Sequence, residues 1–152
     1  MINSRLISDL VPIVQRKAID FLAECGAQGI EVIVTSTFRD HESQAALYAI
    51  GRTVKGQDAI PMVRPMGRPV TWVGPGFSMH NHRCAFDFVP IRYGKPVWGD
   101  KGADLALWTN CGVIAEACGL EWGGRWRQRD LPHCQYTGGL TIADLLSGRM
   151  IA

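Results

Sequence analysis

The sequence predicts a single α+β domain, and three observations carry that prediction. Amphipathic segments with apolar residues every three or four positions frame short apolar runs, in a mixed order with no internal repeat. The chain has 152 residues, enough to close one hydrophobic core without staples. Its composition, 47% hydrophobic and 20% charged, is that of a globular chain rather than a disordered one.

From Ser8 to Cys25, Leu10, Val11, Val14, Ala18, Phe21, Leu22 and Cys25 recur at helical spacing while Gln15, Arg16, Lys17, Asp20 and Glu24 fall between them. Ser8 or Asp9 is the expected cap, Pro12 is tolerated in the first turn, and Gly26 and Gly29 end the helix. Ile30–Val34, bounded by Gly29 and a Thr-Ser-Thr run, predicts a strand. Asp40 is then placed to cap a helix reaching about Ile50, closed by Gly51.

Residues Gly51–Phe77 are rich in proline and glycine and show no sustained period, so they predict a long surface loop with a short strand at Val70–Val73. Cys84–Val89 is apolar except for Asp87, as in a strand buried on both faces, where a carboxylate needs a partner. A turn near Tyr93–Pro96 leads to a helix over Ala103–Cys118, with a break expected around Asn110–Gly112. Leu120–Gly123 and His133–Tyr136 predict two short strands separated by an Arg- and Trp-rich loop. Thr141–Leu146 predicts a closing helix capped by Thr141.

Several function classes are disfavoured. Sixteen Lys and Arg against fourteen Asp and Glu give a net charge of +2, too little for a nucleic-acid footprint. The N-terminus lacks a basic segment followed by a long apolar run, and no stretch approaches the ~20 apolar residues of a membrane span, so neither a secretory address nor a membrane anchor is expected. Five cysteines, Cys25, Cys84, Cys111, Cys118 and Cys134, form no CxxC pair. They read as buried hydrophobes in a chain made in the cytosol, not as a disulfide framework or thiolate zinc knuckle.

The chemistry concentrates in SMHNHRCAFDFVP, Ser78–Pro90, and in Asp130-Leu131-Pro132-His133. On a straight strand His80 and Asp87 would lie over ~20 Å apart on opposite faces, so they share a site only if Asn81–Arg83 bend the chain. With His133 they would then supply two imidazoles and a carboxylate, leaving a fourth position open as in a catalytic zinc site. Asp130 would stand beside the metal as general base, and the reaction implied is amide hydrolysis. Spacing alone leaves a second reading open, in which these are hydrogen-bonded imidazoles. His41 reads as a surface residue at a helix start, and His82 as a wall residue.

The run Ser78-Met79-His80-Asn81 with Ala85-Phe86-Asp87-Phe88, followed by Glu121-Trp122-Gly123-Gly124 and Asp130-Leu131-Pro132-His133, resembles the zinc peptidases that include D-Ala-D-Ala carboxypeptidases and the L-alanyl-D-glutamate endopeptidase endolysins of bacteriophages. The resemblance implies a small, mainly antiparallel sheet flanked by helices, the fold shared with the hedgehog signalling domain. It implies Zn2+ held by His80, Asp87 and His133, Asp130 as catalytic acid/base, Arg39 at the substrate or the developing oxyanion, and Ser78 near the substrate's polar end. Where relatives commonly carry an aromatic residue, a glycine and an aliphatic residue, this chain has His82, Arg83 and Cys84. Arg83 at the glycine position implies a changed bend or a basic contact near the mouth of the site.

The expected function is therefore a zinc metallopeptidase over residues 1–152, without a separate cell-wall-binding domain, cutting the L-Ala–D-Glu bond of peptidoglycan stem peptides. As an endolysin it would be a monomer made in the host cytoplasm and released to the cell wall, binding neither nucleic acid nor membrane. D-Ala-D-Ala carboxypeptidase or dipeptidase activity is the alternative within the class. A zinc-fold binding module without hydrolysis is the alternative outside it, disfavoured by the presence of Asp130. An HNH nuclease, suggested by His80-Asn81-His82, fails on spacing.

Overall fold

Proline sets where the first helix starts. In the computed structural model, which describes residues 1–50 and 70–152, helix α1 spans Pro12–Ala27 with Pro12 in its first turn. The expected cap at Ser8 or Asp9 is corrected: Ile7–Asp9 form a separate 3-10 turn and Val11 is extended. Proline's ring pushes the residue before it out of the helical region, so one helix cannot run through. Val14, Ala18, Phe21 and Cys25 are the buried stripe.

Strand β1 is Glu31–Ser36 and helix α2 is His41–Ala49, whose cap Asp40 accepts a hydrogen bond from the Ser43 amide. Strand β2 (Ala85–Arg92) turns through Tyr93 and Gly94, at φ 54° and 73°, into the two-residue β3 (Lys95–Pro96). Positive φ at both turn positions suits the twist of a tight hairpin. Helix α3 (Gly102–Ala117), β4 (Glu121–Trp122), β5 (His133–Gln135) and α4 (Ile142–Leu146), capped by Thr141, complete the chain.

Every pairing in the sheet is antiparallel, in the order β1-β2-β5-β4, with β3 on the far end of β2. Side chains alternate across a strand. Phe86 and Phe88 of β2, Cys134 of β5 and Trp122 of β4 therefore form a buried face against α1 and α3. Phe88 packs 5.0 Å from Phe21 of α1 and 5.3 Å from Trp108 of α3, centroid to centroid.

Two other expectations are corrected. Helix α3 runs unbroken through Asn110–Gly112. Gly112 is there because the Trp122 indole lies on the helix backbone: a Cβ at 112 would sit 2.1 Å from that ring. Val70–Val73 is not a strand; the buried Gln44 amide donates to the Val73 carbonyl and Thr71 hydroxyl and holds it as a loop. The remainder of that expected loop, 51–69, lies outside the described residues. The cysteines are free thiols, four buried and Cys118 half-buried. Among the described residues no helix is long and apolar enough to cross a membrane.

Candidate metal centre

Sheet register builds the site. Asp87 of β2 stands opposite Ser36 of β1 on one side and His133 of β5 on the other. Asp87, His133 and Gln135 occupy the face turned away from the Phe86–Phe88 core, by simple alternation. A register shift between Val34 and Ser36 puts an irregularity in β1 just before the site, where bulges commonly re-aim the chain.

His80 reaches the same face from a 3-10 turn, Met79–His82. Ser78 caps that turn, its buried hydroxyl accepting from the His80 amide. Asn81 staples it: its carbonyl oxygen accepts from the Gly76 and Ser78 amides while its NH2 donates to the carbonyls of Arg39, at 2.7 Å, and Asp40. Arg83 then adopts the left-handed conformation, φ 60° and ψ 26°, and reverses the chain. Residues seven apart in sequence thereby meet, with His80 Nε2 at 3.2 Å from Asp87 Oδ1.

Left-handed backbone is what glycine accommodates without strain, and a non-glycine residue there costs about 1 kcal/mol or more. The bend is thus present with Arg83 in it. The Arg83 guanidinium stacks 3.8 Å over the Phe38 ring and donates to the Asp9 carbonyl, contacts that offset the strain.

His133 enters from the Asp130–His133 turn, whose backbone is tied at every residue. The Asp130 amide donates to Gly123 O and the Trp122 indole N–H to Leu131 O. The Phe88 amide donates to Pro132 O, and the His133 amide closes the turn on Asp130 O. His133 Nδ1 lies 3.5 Å from Asp87 Oδ1. One ligand atom from each of His80, Asp87 and His133 falls within 4.8 Å of the others.

The donor chemistry fits a divalent metal. His80 Nδ1 lies 2.7 Å from the Thr37 carbonyl, an acceptor only, so Nδ1 carries the proton and Nε2 presents a lone pair to the cluster. His133 Nε2 lies 2.8 Å from Gln135 Oε1, which leaves Nδ1 free in the same way. The second Asp87 oxygen faces Arg39 Nη2 at 3.5 Å. Burial alone would push the Asp87 carboxyl up, but His80 and His133 outweigh it and hold Asp87 well below the usual carboxylate range. For His133 burial acts downward, and Asp87 outweighs it to leave the imidazole above its ordinary value.

Arg39 is 8% exposed, with its fork engaged by Gln44 Oε1 at 2.8 Å and Ser36 Oγ at 3.2 Å as well as by Asp87. Asp130 stands at the solvent-facing rim. Atoms crowding it from the protein side push its carboxyl above the ordinary range, with Asp87 acting the same way and His133, His80 and Arg39 opposing. His82 stands off the cluster and bonds the Gly76 carbonyl at 2.9 Å. His41 is exposed at the start of α2.

Gln135, Gln44 and Trp126 contribute to the centre without being read from the sequence, whereas Asn81 was expected in the bend but not as its staple. For Gln135 a signal existed: two positions after His133 on a strand, it must share that residue's face. Trp126 lies with its ring 5.0 Å from His133.

Two imidazoles and a carboxylate on one side, with a further carboxylate at an open rim, make the donor set of a catalytic metal centre rather than a closed structural one. Comparisons agree with that class. The profile of a peptidase family described as D-alanyl-D-alanine carboxypeptidase matches residues 73–136, the segment that holds all three clustered residues and Asp130. The chain is 34% identical over 135 residues to the peptidoglycan L-alanyl-D-glutamate endopeptidase CwlK of Bacillus subtilis (strain 168), covering 84% of this chain and 74% of that protein. Its fold is similar to the crystal structure of the Serratia marcescens L-Ala D-Glu endopeptidase ChiX, with TM-score 0.58 over 87% of this chain and 84% of that one, at 19% identity. The chain belongs to the M15 peptidase family.

Proposed function

We propose that this peptidase hydrolyses peptidoglycan stem peptides as a zinc enzyme, cutting the bond between L-alanine and D-glutamate. The observation that carries the reading is the His80–Asp87–His133 cluster in a chain that aligns along most of its length with an L-alanyl-D-glutamate endopeptidase. His80 Nε2, Asp87 Oδ1 and His133 Nδ1 would be the ligand atoms. Two imidazoles and one carboxylate suit zinc. When bound, zinc supplies a Lewis acid that polarises the scissile carbonyl and acidifies water.

The protein's own residues do the rest. Asp130 takes a proton from the attacking water as its oxygen bonds to the carbonyl carbon, then delivers that proton to the alanyl–glutamyl nitrogen as the C–N bond breaks. Arg39 orients Asp87 through its second oxygen and places fixed positive charge near the developing oxyanion. Ser78 holds the His80 turn and lies at the substrate's polar end. We further read the chain as a phage-type lysin, acting as a monomer on the cell wall after synthesis in a host cytoplasm. The sequence motifs shared with such lysins support that role.

One observation favours a second reading, D-Ala-D-Ala carboxypeptidase activity: the description of the family matched over residues 73–136. Digestion of purified peptidoglycan followed by mass spectrometry separates the two. New L-alanine carboxyl ends paired with new D-glutamate amino ends are expected. Free D-alanine without those ends assigns the carboxypeptidase reading instead.

A further inference from the structure

The far nitrogen of His133 is linked by hydrogen bonds to a residue on β4, the edge strand of the sheet. His133 Nε2 lies 2.8 Å from Gln135 Oε1. The Gln135 amide nitrogen lies 2.7 Å from Glu121 Oε2 on β4, and the other Glu121 oxygen accepts from the Trp126 indole N–H at 3.2 Å. The Trp126 ring in turn packs against His133. Register makes this possible, because Gln135 of β5 stands directly opposite Glu121 of β4.

The polarity of this chain is not free to reverse. A carboxylate only accepts, so Glu121 forces the Gln135 NH2 toward itself and the Gln135 carbonyl toward His133. That carbonyl also only accepts, so His133 carries a proton on Nε2, and in the neutral imidazole that binds a metal Nδ1 is then the lone pair. A flipped Gln135 would present NH2 to Nε2 and move the proton to Nδ1, where it would block ligation. Glu121 is exposed, and among the described residues it bonds Gln135 and Trp126 and neither His80 nor Asp87.

We propose that Glu121 and Gln135 are positioning residues that select the metal-binding tautomer of His133, with Trp126 fixing Glu121. The proposal rests on the metal-centre reading above. It predicts that zinc affinity follows the polarity of the relay, not its charge or bulk alone.

The test is zinc affinity of purified, folded protein, measured by competition with a chromophoric chelator and paired with thermal melts. Gln135→Leu and Glu121→Leu are each expected to weaken zinc binding about 10- to 100-fold, the usual loss when an outer partner of a ligand is removed. The double variant Glu121→Gln/Gln135→Glu moves the carboxylate next to His133 and lets the new amide at 121 donate to it. It should return affinity to within about threefold of wild type by the same reasoning. Leucine variants that bind zinc as tightly as wild type overturn the proposal, and so does a double variant as weak as Gln135→Leu. If the wild-type protein takes up no zinc, the metal-centre reading itself fails, which is a separate result.

Discussion

Asp87 and Asp130 are both carboxylates of one site, and their surroundings drive them apart. Asp87 turns Oδ1 to His80 and His133 and Oδ2 to Arg39, and stays ionised well below the usual range. Asp130, at the rim, is pushed the other way. Such divergence is how a site separates a permanent anion from a group that exchanges protons. Asp130→Asn should therefore lower kcat/KM by roughly 10²- to 10⁴-fold, the usual worth of a positioned general base, while bound zinc stays at about one per chain as expected for an intact three-ligand site. Activity within a few-fold of wild type would remove Asp130 from the mechanism. At this scale the grouping of His80, Asp87 and His133 was legible through the motif resemblance, because spacing alone left simple hydrogen-bonded imidazoles open. Gln135 and Gln44 were not, because an amide's role depends on what the folded chain sets opposite it. Arg39 was singled out in the sequence, but its engagement with Asp87, Gln44 and Ser36 was not legible there.

Among the elements, the Asp130–His133 turn depends on Gly123. A Cβ at that position would fall 2.5 Å from the Asp130 carbonyl oxygen and 3.1 Å from His133 Cβ, so the turn carrying ligand and base must shift. Gly123→Ala is expected to fold but to lose on the order of 10²-fold in kcat/KM, the usual result of misplacing catalytic groups by about 1 Å. Gly26→Ala, with no atom within 4 Å of the added carbon, is the control and should leave kcat/KM at the wild-type value. Helix α2 offers a pH test. Asp40 is held below its ordinary value chiefly by the Ser43 amide, so its stabilising effect is fully present above the unfolded pKa of about 3.9 and is lost as pH falls through the lower folded value. The thermal deficit of Asp40→Ala should accordingly be constant near neutrality and shrink below about pH 3.9; a deficit independent of pH would contradict the cap's ionic role. Helices and strands were legible from periodicity and caps, Thr141 and Asp40 among them. The start of α1 was not, because Ser8 and Asp9 look like caps while Pro12 decides. Nor was the continuity of α3, since Gly112 reads as a breaker until Trp122 is seen lying on it.

At the scale of the whole molecule, an α+β arrangement was legible from the order of elements, but the strand order β1-β2-β5-β4 was not read from any local pattern. Pairing between β2 and β5 joins segments far apart in the chain, and only that pairing sets Asp87 against His133. The fold thus makes the centre out of distant parts: a stapled turn, a middle strand and a pinned loop. Metal binding should tie those parts together, raising thermal stability by an amount that grows with free zinc, about 2.7 kcal/mol at a hundredfold excess over Kd. The central claim is that this assembled centre needs its metal to cut the stem peptide. The most direct measurement is the release of new amino termini from purified peptidoglycan by chelator-stripped protein, before and after zinc is restored. Release is expected to vanish on stripping and return with zinc; release that continues unchanged in stripped protein shown to be free of metal would contradict the account.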